Sequence, residues 1–433
     1  MKKKVCALVL CICMIATMFT GCKKDDSASS DGVQNITWMF WDDIDSTEDL
    51  MSLGYKKVIE RFNKDYEGKY HCDYICTNLE EYDTKLNALI TANDCPDLFI
   101  CNPGPNLTTY VENGAAADLT DILQKDNKDW YDTFTGGIFE KITYDGKIMA
   151  VPTNFAAACV FYNKDMFAKA GATVPTTYDE WLTACQKIKD AGFTPITISA
   201  GTAWCLSMLA GYLCDRQGGP DNLANVNANK GSWLDQSFLD AGAKLVELSQ
   251  YFQPTAAGDT NDQATAALYN GEAAMLIQGS WAIGQINGNN PDFEDKCGVF
   301  QFPGITGGAD PNRMIVKTDN LVMSSKTKNQ EAVIALMKYF TDETAQKYTA
   351  EVGGKIPVIN CEIDYEKAPK QLKDVMAIME NCTGTLGFYN ESLASVEAGD
   401  KFDNAMVSLY LGDLTPEQAF QQVQDFYEDE VWK

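Results

Sequence analysis

The chain has 433 residues, 61 of them acidic against 35 Lys and Arg, and a formal charge of −26. A surface of that sign repels phosphate backbones and anionic lipid heads, which excludes a role in tracking nucleic acid. The length exceeds one typical domain, so two lobes with separate cores are expected, and the acidic residues are scattered as on a soluble exported surface rather than gathered in a tail.

The first residues follow the order of a secretory leader: Lys2, Lys3 and Lys4, an apolar stretch over 5–19, then Thr20 and Gly21 before Cys22. That stretch is too short to cross a bilayer comfortably. Phe19-Thr20-Gly21-Cys22 resembles the bacterial lipobox, with Phe19 where Leu is usual, so residues 1–21 read as a signal peptide and Cys22 as the lipidated residue. A leader cut elsewhere is the alternative. The run KKDDSASSDGV that follows is polar and flexible, and residues 22–35 read as anchor and tether. Of the fifteen cysteines, Cys6, Cys11 and Cys13 lie in the leader. Most of those beyond Cys22 sit in apolar runs such as 97–101, where a thiol acts as a small hydrophobe. Cys72 and Cys76 lack a second pair or a His cluster, so no metal or cofactor is expected.

The run ITWMFW from Ile36 is apolar and β-branched, then meets Asp42, Asp43 and Asp45, which predicts a buried strand. Ser46 and Asp49 suggest a capping box for a helix with Tyr55, Val58, Ile59, Phe62 and Tyr66 on one face. A strand at 71–76, a helix at 82–92 and a strand at 97–101 continue the alternation. It resumes where Thr177 and Glu180 cap a helix carrying Trp181, closed by Gly192 before a strand at 195–199. Helices near 204–214 and 238–251, strands at 274–277, 297–302 and 321–324, and a helix at 331–340 follow, with helices to the end. Strands alternating with helices imply a mostly parallel sheet covered on both faces.

Residues 144–170 read YDGKIMAVPTNFAAACVFYNKDMFAKA, and GATVPTTYDEW comes next. Gly146-Lys147, Pro152, Tyr162-Asn163-Lys164-Asp165, Phe167 and the stretch 175–180 resemble the extracellular solute-binding proteins of ABC importers, the maltose-binding-protein-like family. Asn93 to Asp97, Asn270 to Met275, Gly279-Ser280-Trp281 and Gly353 to Pro357 are similar echoes in order. The resemblance implies an α/β, two-lobe periplasmic-binding-protein-like fold with a hinge and an interlobe ligand cleft. Lobe 1 is expected at 36–154 plus 316–360, lobe 2 at 155–302 plus 361–433, and a crossing at 303–315. Its implied partners are a carbohydrate ligand, the ABC permease subunits and, through the lipid anchor, the membrane. It implies a monomer on the extracytoplasmic face of the cell membrane.

A sugar offers hydroxyls and apolar C–H faces, so its site needs aromatic platforms beside Asp, Asn, Glu or Gln. Trp281 matches the family's cleft tryptophan and follows a predicted strand, where open α/β sheets hold ligands. Trp204, Trp41, Asp42, Asn102, Asn154 and Tyr389 are the further candidates, each with packing or capping as its alternative. Asp319 is a weaker one. By the family's pattern, its acidic contact falls on Ala156 and an aromatic and acidic pair on Cys101 and Gly104, departures that speak against maltodextrin. The rival readings are a secreted glycan-active hydrolase and a binder of another solute, such as a peptide or polyamine. No catalytic motif supports the hydrolase, since Asp42 and Asp43 are adjacent and point apart and the lone His71 adjoins no nucleophile signature.

Overall fold

The computed structural model describes residues 32–433; the leader, Cys22 and most of the tether lie outside the described residues. The first lobe starts with β1 (Gln34–Phe40), α1 (Leu50–Asp65), β2 (Tyr70–Cys76), α2 (Leu79–Thr91), β3 (Leu98–Cys101) and α3 (Pro105–Glu112). β1 pairs in parallel with β2 and β3. The N-cap of α1 is Asp49, which accepts from the backbone N–H groups of Met51 and Ser52, while Ser46 accepts from the N–H of Glu48 in the turn before. The helix therefore starts later than a Ser46 capping box implies.

A small hairpin, β4 (Thr143–Tyr144) and β5 (Lys147–Ile148), leads into β6 (Val151–Asn163). The second lobe holds α4 (Tyr178–Asp190), β7 (Thr194–Thr197), α5 (Ala203–Gly218), α6 (Gln236–Ser249), β8 (Ala273–Gly279), α7 (Ala282–Asn289) and β9 (Cys297–Phe300). Thr177 and Glu180 form the capping box of α4. Helix α5 is buried on nearly every side, because it lies against the sheet on one flank and α6 and a C-terminal helix on others. β10 (Arg313–Met323), α8 (Gln330–Phe340), α9 (Glu343–Glu351), β11 (Gly384–Leu386) and α10 (Val396–Leu411) complete the elements used below.

The strands follow the order β2-β1-β3-β10-β6-β8-β7. The sheet is mixed rather than mostly parallel: each lobe has a parallel part, but β10 runs antiparallel to β3 and β6, and β6 antiparallel to β8 and β9. The reason is that β6 and β10 are shared. Val151 at one end of β6 and Leu321 to Met323 of β10 pack in the first lobe's core, whereas Val160 and Ile315 pack in the second's. The register between the two strands shifts at Asp319/Asn320. The stretch before β10 is bonded to the second lobe, with Gly304 joined to Thr176 and Tyr178, and Ala309 to Arg216. Among the described residues no helix is long and apolar enough to cross a membrane.

Candidate functional site

Trp41 follows β1, Asn102 follows β3 and Trp281 stands just past β8, so the strand ends of both lobes aim at one cleft. The Trp281 indole folds back over Gly279 and fills the space where a Cβ would stand, which requires glycine there. Its ring centre is 6.1 Å from that of Trp204 at the start of α5 and 5.8 Å from that of Phe388, and Trp204 and Phe388 are 5.9 Å apart. These are edge and tilted contacts, the geometry that aromatic quadrupoles favour. Behind them Asp403 on α10 accepts from Ser207 of α5 and, at 3.0 Å, from Asn390. That carboxyl ties the start of α5 to the segment carrying Phe388.

Lys317 on β10 points into the same space. Its Nζ lies 5.5 Å from the Trp41 ring centre and 5.8 Å from those of Trp281 and Phe388, and donates to Asn102 Oδ1 at 2.9 Å. One ammonium thus joins a ring and an amide of the first lobe to two rings of the second. Two residues along the strand, Asp319 is 4 % exposed and accepts from Lys355 Nζ and Asn154 Nδ2, both at 2.9 Å. Burial alone would raise the Asp319 carboxyl, but Lys355 and then Lys317 draw it down to about 2.

The Asp42 carboxyl is open to water but hemmed in by the cleft. Desolvation, followed by the charges of Asp49 and, from the second lobe, Asp262, pushes it up to about 7. The lobes touch at both rims. On one, Asn289 Nδ2 at the end of α7 donates to the Glu48 carbonyl at 3.1 Å; on the other, Gly104 lies so close to the Glu391 carbonyl that a side chain would overlap it. Aromatic rings beside a few convergent polar groups are the surroundings that small-molecule sites use. Among the described residues, no three metal-ligating side chains gather in one place.

Residues 46–347 match the family model described as bacterial extracellular solute-binding protein. The chain belongs to that family. A multiple sugar-binding protein of Streptococcus mutans is 26 % identical over 333 residues, 70 % of this chain and 76 % of that one. A diacetylchitobiose-binding protein of Streptomyces coelicolor is 22 % identical and covers 82 % of each chain. Among solved structures, one described under xylan utilization by the thermophile Caldanaerobius polysaccharolyticus superposes with a TM-score of 0.83 at 26 % identity, covering 90 % of this chain and 99 % of that one. A chitin oligosaccharide binding protein superposes at a TM-score of 0.82, with 24 % identity and coverage of 92 % and 99 %.

Within this solute-binding fold, Trp41, Asn102 and Trp281 come together around Lys317, Trp204 packs against Trp281, and Asp42 follows Trp41 in the chain. Asn154 does not join them. It is 1 % exposed, buried in the strand pair that links the lobes, and its Nδ2 donates to Tyr55, Thr153 and Asp319. Tyr389 is a correction: at 2 % exposed it packs over Gly211 and beside Phe402, inside the second core, and its neighbour Phe388, itself only 3 % exposed, packs behind the tryptophans against Trp204, Trp281 and Lys317. Sequence reasoning also passed over Lys317. Its signal is the two-residue period of β10, which sets Lys317 and Asp319 on one face.

Proposed function

We propose that this protein is the lipid-anchored receptor of an ABC importer, which captures a mono- or oligosaccharide in the interlobe cleft and hands it, unchanged, to the membrane permease. The observation that carries this reading is the meeting of Trp41, from one lobe, with Trp281, Trp204 and Phe388, from the other, around Lys317 and Asn102. Flat rings offer faces to sugar C–H groups, while Asn102, Lys317 and Asp42 supply the donors and acceptors that hydroxyls need. The sugar-binding names of the relatives support the ligand class. The lipobox-like Phe19 to Cys22 supports the anchor, and the acidic surface suits a freely diffusing capture domain on a tether.

The test is a titration of the purified chain with a panel of neutral sugars, following tryptophan fluorescence and thermal unfolding. A ligand that prefers the folded form raises the unfolding temperature. Saturable quenching or enhancement by at least one sugar is expected. Silence across the panel with a response to peptides or polyamines overturns the reading, as does release of new reducing ends from a glycan.

A further inference from the structure

Helix α7 reads AIGQINGN, with glycine at 284 and 288. Glycine weakens a helix because it gives up the most backbone freedom on folding, and neither residue has the positive φ that would demand it. The requirement comes from space. A Cβ on Gly288 would overlap the Glu48 carbonyl, and one on Gly284 would stand 2.8 Å from Asp49 Oδ1 and 3.2 Å from the Met51 nitrogen, whose N–H donates to that same carboxylate to cap α1. One turn apart, the two glycines present a bare face against which the start of α1 lies.

The opposite face of α7 belongs to the second lobe, where Ala282, Ile283 and Ile286 pack with Leu276 of β8 and Cys297 of β9. Met51 packs in the first lobe's core. The contact therefore runs between lobes, on the flank of the cleft where Asp42 precedes α1 and Trp281 precedes α7. It is graded along its length. At the inner end Ile283 is buried against Gly354, two residues before Ile356, which bridges to Phe155 of β6. At the outer end Glu48 and Asn289 are both exposed, and the hydrogen bond from Asn289 Nδ2 to the Glu48 carbonyl joins them. A buried pivot beside the linking strands and a lightly held rim away from them are what two parts that swing together need.

Resting on the capture of a solute between the lobes proposed above, we propose that the glycine face of α7 is a latch: closing the cleft seats the start of α1 on it, and the fit of that seat sets the affinity for every solute alike without touching any of them. A ligand that needs the closed form binds in proportion to the share of the chain that can reach it.

Gly288→Ala and Gly288→Val test this in the full chain, with the panel of neutral sugars, by calorimetry and by solution X-ray scattering. Every sugar that binds the wild type is expected to lose about threefold in affinity to the alanine variant and roughly tenfold or more to the valine variant, by one factor across the panel. Without sugar, the alanine variant, which favours the helix, is expected to unfold at a temperature no lower than wild type, which separates the loss from one of stability; it also keeps the test decisive if the valine variant folds poorly. With saturating sugar, the valine variant is expected to scatter as a more extended particle than wild type. Affinities unchanged in both variants, or losses that differ about tenfold from sugar to sugar, overturn the latch and leave the sugar reading intact. If no sugar binds the wild type, the sugar reading falls and scattering alone judges the latch: variants no more extended than wild type overturn it.

Discussion

Replacing Asp319 by Asn probes the strand pair that links the lobes. The carboxylate receives Lys355 and Asn154 at 2.9 Å each and has Lys317 at 3.6 Å, in a setting that excludes water. Held at about 2 rather than the ordinary 3.8, it contributes on the order of 2.5 kcal/mol to stability near neutral pH. The sign follows from the depressed value. The contribution is complete above pH 4 and fades as acid carries the solution through pH 2. Asp319→Asn keeps the shape but leaves the Lys355 ammonium buried without its counter-charge, which costs about 3 to 5 kcal/mol at pH 7. Lys355→Met on top of it removes the stranded cation and is expected to recover part of the loss. Urea unfolding of wild type, single and double variants at pH 7, repeated at pH 3, measures this. A single variant as stable as wild type, or a double variant no better than the single, refutes the reasoning.

Trp281→Ala is expected to weaken sugar binding by roughly 1 to 3 kcal/mol, about five- to 150-fold, in a fluorescence or calorimetric titration; unchanged affinity removes it from the site. Tyr389→Phe, which keeps the ring in the second core, is expected to leave affinity within twofold, and a large loss would return Tyr389 to the cleft. Because Asp42 is raised to about 7, it gains charge between pH 6 and 8; if it accepts sugar hydroxyl protons, affinity rises across that interval in the wild type and stays flat in Asp42→Asn. Cys22→Ser is expected to move the protein from the membrane fraction to the medium or the soluble extracytoplasmic fraction on fractionation of expressing cells, and retention on membranes counts against the lipid anchor.

The strand ends that carry Trp41, Asn102 and Trp281 were readable because each follows an apolar run broken by polar residues, a pattern that local sequence contains. The strand pair beneath them was not. Thr318, Asp319 and Asn320 have the composition of a loop, yet all three are buried in β10. What keeps them there is Asn154, 165 residues away from Asp319, and Lys355, 36 residues away, and no window of local sequence can register such partners. Once β10 is read as a strand, its period of two places Lys317 and Asp319 on one face, and Lys317, which the sequence reading did not single out, meets Trp41, Trp281 and Phe388. The exchange of Tyr389 for Phe388 has a related cause. β11 ends at Leu386, so no regular period phases the next residues; both rings are buried, and the room that Gly211 leaves takes Tyr389 while Phe388 packs against Trp204 and Trp281. Positions set by repetition were therefore legible, while those set by a distant partner or a single close contact needed the assembled molecule. The hinge strands fall in the second group because a segment serving two cores answers to neither one's pattern alone.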